Sequence, residues 1–288
     1  MLAENKGKEK EWDLVVSSKS SLLDLRLKEL FRYRDLLFLL LKRDFTTQFK
    51  QTLLGPLLIF VQPVATALTF TFVFGYVANL ETNGSPRVLF YLSGLTLWGY
   101  FADCLIKTSA TFISNASIFG KVYFPRLIIP ISVVFSSLLK LSAQFILLIL
   151  IWLYYFFNEV ELQPNIYIFI LIPFLIVVIG GLGFGFGLLI ATFTIKYRDL
   201  NFFIGFGVQL LMYASSVILP LSIFPTHIQK WIKLNPMLNI IEAFKFIFLG
   251  KGDFSVFGLI YSFCFMLTLV SISVILFNKV EKTFVDTI

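Results

Sequence analysis

Long apolar runs separated by short polar segments dominate the chain. Six of them, near 54–79, 88–112, 128–157, 166–195, 202–224 and 254–277, are long enough as helices to cross about 30 Å of hydrocarbon, which takes roughly 20 residues. The predicted fold class is an all-α integral membrane protein with six transmembrane helices. An even number of crossings leaves both termini on one side.

Two further segments fit neither spans nor plain loops. Residues 22–45 (LLDLRLKELFRYRDLLFLLLKRDF) put Leu23, Leu27, Leu30, Leu37, Leu41 and Phe45 along one side of a helix, with most charges opposite. That pattern predicts an N-terminal amphipathic interfacial helix within 22–51, lying along the inner membrane surface. Arg34 interrupts the stripe, which suits a helix facing headgroups or a partner. The second segment, Met237 to Leu249, is apolar but carries Glu242 and Lys245 and is too short to span. It predicts a re-entrant or interfacial helix pair between Pro225 and Asp253, with Pro236 opening the second helix and Gly250 closing it. Residues 1–21 then form a cytosolic extension, 22–51 the interfacial helix and 52–288 the six-span membrane domain.

Composition supports a lipid solvent: 58% of the 288 residues are hydrophobic, only 14% are charged, and there are 35 phenylalanines. A soluble domain of this length has too little polar surface for such a composition. The net charge of +7 does not point to nucleic acid, because the basic residues concentrate near the N-terminus and in loops on one side. Counting Lys and Arg gives eighteen on the side of the termini and five on the other, so both termini are expected in the cytoplasm. The charged first twenty residues contain no apolar signal-peptide core. Cys104 and Cys264 fall in predicted spans and suggest neither a disulfide framework nor a metal cluster.

Catalytic patterns are missing. Gly120-Lys121 is followed by Val122 and Gly250-Lys251 by Gly252, so neither completes a phosphate loop. A lone His227 cannot build a triad or a His-based metal site. Glu159 and Glu161 stand in a short outer loop, where solvated carboxylates are ordinary. The expectation is a non-enzyme with no metal and no cofactor of its own.

Three ionisable residues stand inside apolar runs: Asp103, Lys107 and Lys140. Each needs a partner or water. Asp103 and Lys107, four apart in acid-first order, are expected to neutralise each other. Lys140 is left between snorkelling to the inner surface and a functional role. In GGLGFGFGLL, Gly181 stacks with Gly185 and Gly183 with Gly187, which predicts close helix packing rather than dinucleotide binding.

Four ordered stretches carry a resemblance over nearly the whole chain: LLKRDFTTQFKQTLLGPLLIFVQP from Leu40, SNASIFGKVYFPRLIIPIS from Ser114, IKYRDL from Ile195 and WIKLNPMLNIIEAFKFIFLG from Trp231. Together they resemble the permease subunit of ATP-binding-cassette exporters of polysaccharide, which carry O-antigen, capsule and teichoic-acid chains. The resemblance implies a homodimer in the bacterial inner membrane with two copies of a cytosolic ATPase subunit that binds the ATP and magnesium. It also implies a conduit for a polyprenyl-diphosphate-linked glycan.

On this reading Arg32, Arg34, Lys42 and Arg43 of the interfacial helix would meet the lipid diphosphate. Asn115, Phe119, Lys121, Tyr123, Phe124 and Arg126 would couple to the ATPase, and Phe70, Phe74, Tyr76 and Tyr213 would line the glycan path. Trp231, Asn235, Pro236 and Glu242 would build the outer re-entrant region. The chain departs from the family pattern at Leu58 for a tryptophan, at Ser215-Ser216-Val217 for Ser-Pro-Val, and at Leu127 for an acidic residue. The alternatives are a membrane transferase on lipid-linked sugars and a permease or scramblase for another lipid or drug.

Overall fold

The computed structural model describes residues 31–50, 55–115, 124–158, 168–194, 197 and 199–285. Its described residues form ten α-helices: α1 Arg34–Lys50, α2 Gly55–Phe70, α3 Arg87–Ser109, α4 Thr111–Ser114, α5 Ile128–Phe157, α6 Ile168–Thr194, α7 Leu200–Tyr213, α8 Thr226–Ile232, α9 Pro236–Leu249 and α10 Val256–Val285. A π-helical segment, Thr71–Val77, prolongs α2.

Among the described residues, five helices are long and apolar enough to cross a membrane: Leu57–Val77, Arg87–Ser109, Ile128–Phe157, Ile170–Thr194 and Val256–Val280. The expected sixth, 202–224, is not one continuous helix. α7 has 14 residues, about 21 Å at 1.5 Å per residue, and stops at Tyr213. Hydropathy reports that the following residues are apolar but not that the helix breaks, and Ser216 takes a left-handed φ of 56°.

α3 is the central helix. Three of its hydroxyls are absorbed by its own backbone, Ser93 donating to the Phe90 carbonyl at 2.8 Å, Thr96 to that of Leu92 at 2.8 Å and Ser109 to that of Ile106 at 2.8 Å. α6 lies against it through glycines. A Cβ on Gly183 would stand 2.6 Å from the Cys104 Cβ, and one on Gly187 would stand 2.6 Å from the Thr108 Cβ. Gly181 and Gly185 turn the other way, towards Met266 and Leu269 of α10. The two glycine pairs of the sequence therefore serve two interfaces, one per helix face. Without a hydrophobic drive between helices in lipid, such close backbone approach supplies the packing energy.

The bundle has two distinct ends. At one, α9 and the loop before α3 meet the C-terminal end of α5, with Trp152 Nε1 donating to the Phe248 carbonyl at 2.9 Å. At the other, α1 covers Phe112, Ile128, Leu188, Ala191 and Phe277, where the Phe112 and Phe277 rings stack at 4.8 Å. Tyr33, just before α1, and Leu36, Leu37 and Leu40 of α1 meet this cluster, so only Leu37 of the expected stripe is among the residues packed on the bundle. Leu40 is buried, while Phe45 is 45% exposed. Six consecutive apolar residues, 36–41, encircle the helix, so spacing alone does not choose the buried side. Leu23, Leu27 and Leu30 lie outside the described residues.

Gly183→Ala is expected to lower stability by about 1–3 kcal/mol through overpacking. Gly205→Ala, where a Cβ meets nothing within 4 Å, should be neutral or slightly stabilising. Thermal unfolding of the detergent-solubilised variants distinguishes the two.

Candidate functional site

Asp103 of α3 pairs with Lys140 of α5, Nζ to Oδ2 at 2.8 Å, each side chain 23% exposed. The expected partner, Lys107, is exposed, so the i,i+4 pairing is corrected. Helical spacing only permits that contact; the packing of α3 on α5 brings a better-shielded cation to the carboxylate. Lys140, left open by the sequence, is thus half of an intramembrane ion pair linking two helices.

The denser constellation sits at the α9 end. Asn235 caps α9: its Oδ1 accepts from the Met237 amide at 3.0 Å while its Nδ2 donates to the Ala214 carbonyl at 3.0 Å and to Ser215 Oγ at 2.8 Å. Pro236 takes the first helical position and Gly250 closes the helix in the left-handed region, as the sequence predicts. Between them α9 is buried on nearly every face, including Glu242 at 2% exposure and Lys245 at 0%.

Glu242 accepts from the Ser216 hydroxyl and, through its other oxygen, from the Asp253 amide at 3.1 Å. Lys245 donates to the Ser216 carbonyl at 2.5 Å, and its Nζ lies 3.5 Å from the centre of the Phe90 ring. Burial pushes the Lys245 ammonium down to about 7, opposed by the attraction of Glu242. These groups clamp the break after α7 onto α9 and onto the head of α3. The cluster holds a bend; it presents no activated nucleophile. Sequence reasoning singled out Asn235, Pro236 and Glu242 but counted Lys245 as a loop charge. An acid and a base three apart within a thirteen-residue stretch that is otherwise apolar but for Asn239 was the available signal.

The remaining predicted residues are more scattered. At the α1 end, Arg43 donates to the Asp44 carboxylate from Nε at 3.0 Å and from Nη2 at 2.9 Å, so this cation is already engaged. Arg34 lies 3.9 Å from Asp35 with its guanidinium 5.9 Å from the Phe31 ring centre, and Arg32 and Lys42 are exposed. Asn115 is buried and donates to the Thr111 carbonyl at 3.1 Å. Phe124 is buried in the cluster beneath α1, and Arg126 is half-exposed. Phe119, Lys121 and Tyr123 lie outside the described residues.

The four aromatics expected on one path differ in exposure. Phe70 and Phe74 pack inward, edge-on to each other at 5.5 Å, with Phe70 also against Tyr91 at 6.2 Å. Tyr76 and Tyr213 stay exposed. The exposed aromatics that sequence reasoning passed over, Phe202, Phe203 and Phe206, lie along α7 with Tyr213. Trp231 is likewise exposed on α8.

Lys140→Ala should destabilise the protein by about 2–3 kcal/mol by stranding Asp103. A cycle built from Asp103→Asn and Lys140→Met should give a coupling of about 1–2 kcal/mol, with Lys107→Ala within about 0.5 kcal/mol of the parent. Glu242→Ala, which leaves the Ser216 hydroxyl and Lys245 without their acid, should lose about 3–5 kcal/mol. The Glu242→Ala/Lys245→Met double variant should recover part of that loss, read by thermal unfolding.

Comparison with known proteins bears on both ends of the bundle. The profile of the ABC-2 type transporters matches residues 35–249, from the first turn of α1 to the last residue of α9. Two O-antigen export system permease proteins RfbA of Klebsiella pneumoniae are 27% and 26% identical over 254 residues, covering 88% of this chain and 94% of theirs. A protein of the same name from Myxococcus xanthus is 23% identical over 223 residues, 77% of this chain and 83% of its own.

Proposed function

This chain belongs to the ABC-2 type transporter family, and from that premise we propose that it is the transmembrane subunit of an ATP-driven exporter of an O-antigen-like polysaccharide. The observation that carries the reading is the match to O-antigen export permeases over 94% of their length. The glycan is joined to a polyprenyl diphosphate and moves from the cytoplasm across the bacterial inner membrane. ATP and magnesium bind a separate cytosolic ATPase subunit, two copies of which serve a homodimer of this chain. In this reading residues 1–21 are a cytosolic extension, 22–51 the gate segment and 52–288 the permease domain, with residues 1–30 outside the described residues.

In this scheme α7 and the irregular stretch after it make a sixth, broken crossing, and both termini lie in the cytoplasm. Irregular backbone at membrane depth is tolerated where protein groups satisfy it, and the Asn235 and Lys245 bonds to the Ala214 and Ser216 carbonyls supply that condition. The α1 end then faces the cytoplasm, where Arg32, Arg34 and Lys42 are exposed to a diphosphate; charge-assisted bonds to phosphate oxygens are the chemistry they offer. Coupling to the ATPase falls to the connection around Asn115 to Arg126. Exposed apolar side chains on α7, including Phe202, Phe206 and Tyr213, suit contact with a second copy or with the glycan path between copies. The α9 clamp seals the outer side.

Deletion of the gene should abolish the long surface glycan of the cell. The parent should pull down an ATPase carrying a phosphate-binding loop from native membranes. Replacing Arg32 and Arg34 together by Ala should reduce surface glycan several-fold at unchanged membrane abundance, by immunoblot of both. Unchanged glycan in the deletion strain would refute the export reading, and unchanged glycan in the double variant would remove these arginines from diphosphate binding.

A further inference from the structure

At the α9 end a groove of about 620 Å³ lies between the loop before α3 and the end of α5, lined by Glu81, Thr82, Ser85, Arg87 and Tyr155 among others. Its volume is within the usual range of small-ligand sites, about 300–1,000 Å³. The loop that floors it is held in place. Asn83 and Gly84 adopt φ of 53° and 73°, and the tight turn is closed by the Ser85 amide to the Thr82 carbonyl at 3.0 Å and by Thr82 Oγ1 to the Ser85 carbonyl at 2.7 Å. Two bonds from distant segments pin it: Lys251 Nζ to the Gly84 carbonyl at 2.8 Å and Ser222 Oγ to Asn83 Oδ1 at 2.8 Å. Loops fastened in this way are preorganised for a ligand rather than free to follow solvent.

Arg87 is positioned just as firmly. Its side chain crosses Gly75, where a Cβ would come within 2.7 Å of its Cδ, and its guanidinium sits 4.7 Å from the Tyr76 ring centre. Only a glycine in the π-helical segment leaves room for that path. Arg87 lines the groove together with Glu81 and Tyr155. Ser85, 7% exposed, lines the same groove, and its buried hydroxyl has no hydrogen-bond partner. That oxygen is closed off from solvent, so it belongs to the packing of the turn rather than to the surface a ligand would touch.

We propose that this groove is a subsite for one or two neutral sugar rings of the glycan as it leaves the protein. The proposal rests on the export reading and names a place where the polymer is held. The chemistry favours a sugar over an anion. One carboxylate and one guanidinium balance each other, and Tyr155 lines the groove beside them, offering an aromatic ring for the C–H surface of a pyranose. A phosphate or lipid headgroup would be opposed by Glu81, whereas paired sugar hydroxyls accept from Arg87 and donate to Glu81 at once.

The test is photo-crosslinking of the full-length chain in nanodiscs by a diazirine-bearing mannotriose, with the labelled residues mapped by peptide mass spectrometry. Label is expected on residues 80–87 and around Tyr155, displaced by excess mannotriose and not by inorganic phosphate. Losing a charge-assisted bond should reduce it about tenfold in Arg87→Ala and in Glu81→Gln. Since Arg87 also packs on Gly75, the exposed Glu81 variant carries the decision should Arg87→Ala fail to fold. Absence of label in the groove, label that both variants leave unchanged, or displacement by phosphate as effective as by mannotriose would each overturn the subsite. The export reading fails on a different result, an intact surface glycan in the deletion strain.

Discussion

A helix that stops inside packed protein or hydrocarbon releases carbonyls that water cannot reach, and the chain must supply their partners itself. The rest of the α9 end follows from that constraint. α7 ends at Tyr213, and the carbonyls of Ala214 and Ser216 are met by Asn235 and Lys245. Reaching Ser216 requires a fully buried ammonium, which in turn requires the nearby acid of Glu242 and the face of Phe90. Glu242 then spends its own oxygens on the Ser216 hydroxyl and the Asp253 amide. The start and stop of α9, set by Asn235-Pro236 and Gly250, hold both charged residues opposite the bend. One interruption of a helix thus accounts for a buried acid, a buried base and a helix without an exposed face.

Beside this clamp the centre of the bundle is rigid for a different reason. α6 presents glycines to α3 on one side, where they meet backbone, and to α10 on the other, where they receive the Met266 and Leu269 side chains, so three long helices pack closely. The Asp103–Lys140 pair ties α5 to the same centre. Elements outside it are more lightly held: α1 buries one narrow face, and α7 exposes Phe202, Phe203 and Phe206. In a transporter that division suits a fixed core with movable parts at its rim. The proposed roles of α1 at the cytoplasmic gate and of α7 against a second copy use the lightly held parts.

The loop before α3 joins these themes. It is short and polar, yet Lys251 and Ser222 fasten it to the segment flanking α9. Movement of the clamp and the shape of the Arg87 groove are therefore mechanically linked. The proposed sugar subsite and the bend held by Glu242 share one scaffold.

Several features were legible from the residues alone because they depend on one segment at a time. Hydropathy and length predict six spans, of which five are continuous helices among the described residues; Pro236 and Gly250 bound α9 through fixed backbone preferences, and the glycine spacing of α6 foretells close helix packing. The stretch after Tyr213 was not legible, because apolar composition is the same whether a helix continues or bends at Ser216. Nor was the partner of Asp103. A neighbour four residues away is visible in the sequence, but Lys140 is 37 residues distant, and only the register of α5 on α3 brings it closer to the carboxylate than Lys107. The inward turn of Phe70 and Phe74 and the outward one of Phe202 and Phe206 are of the same kind. The sequence by itself determined a membrane-embedded helical protein of transporter type. Tertiary structure decided which charges meet, where a helix breaks and which aromatics are presented, because those depend on contacts between segments whose relative rotation and register no local pattern encodes.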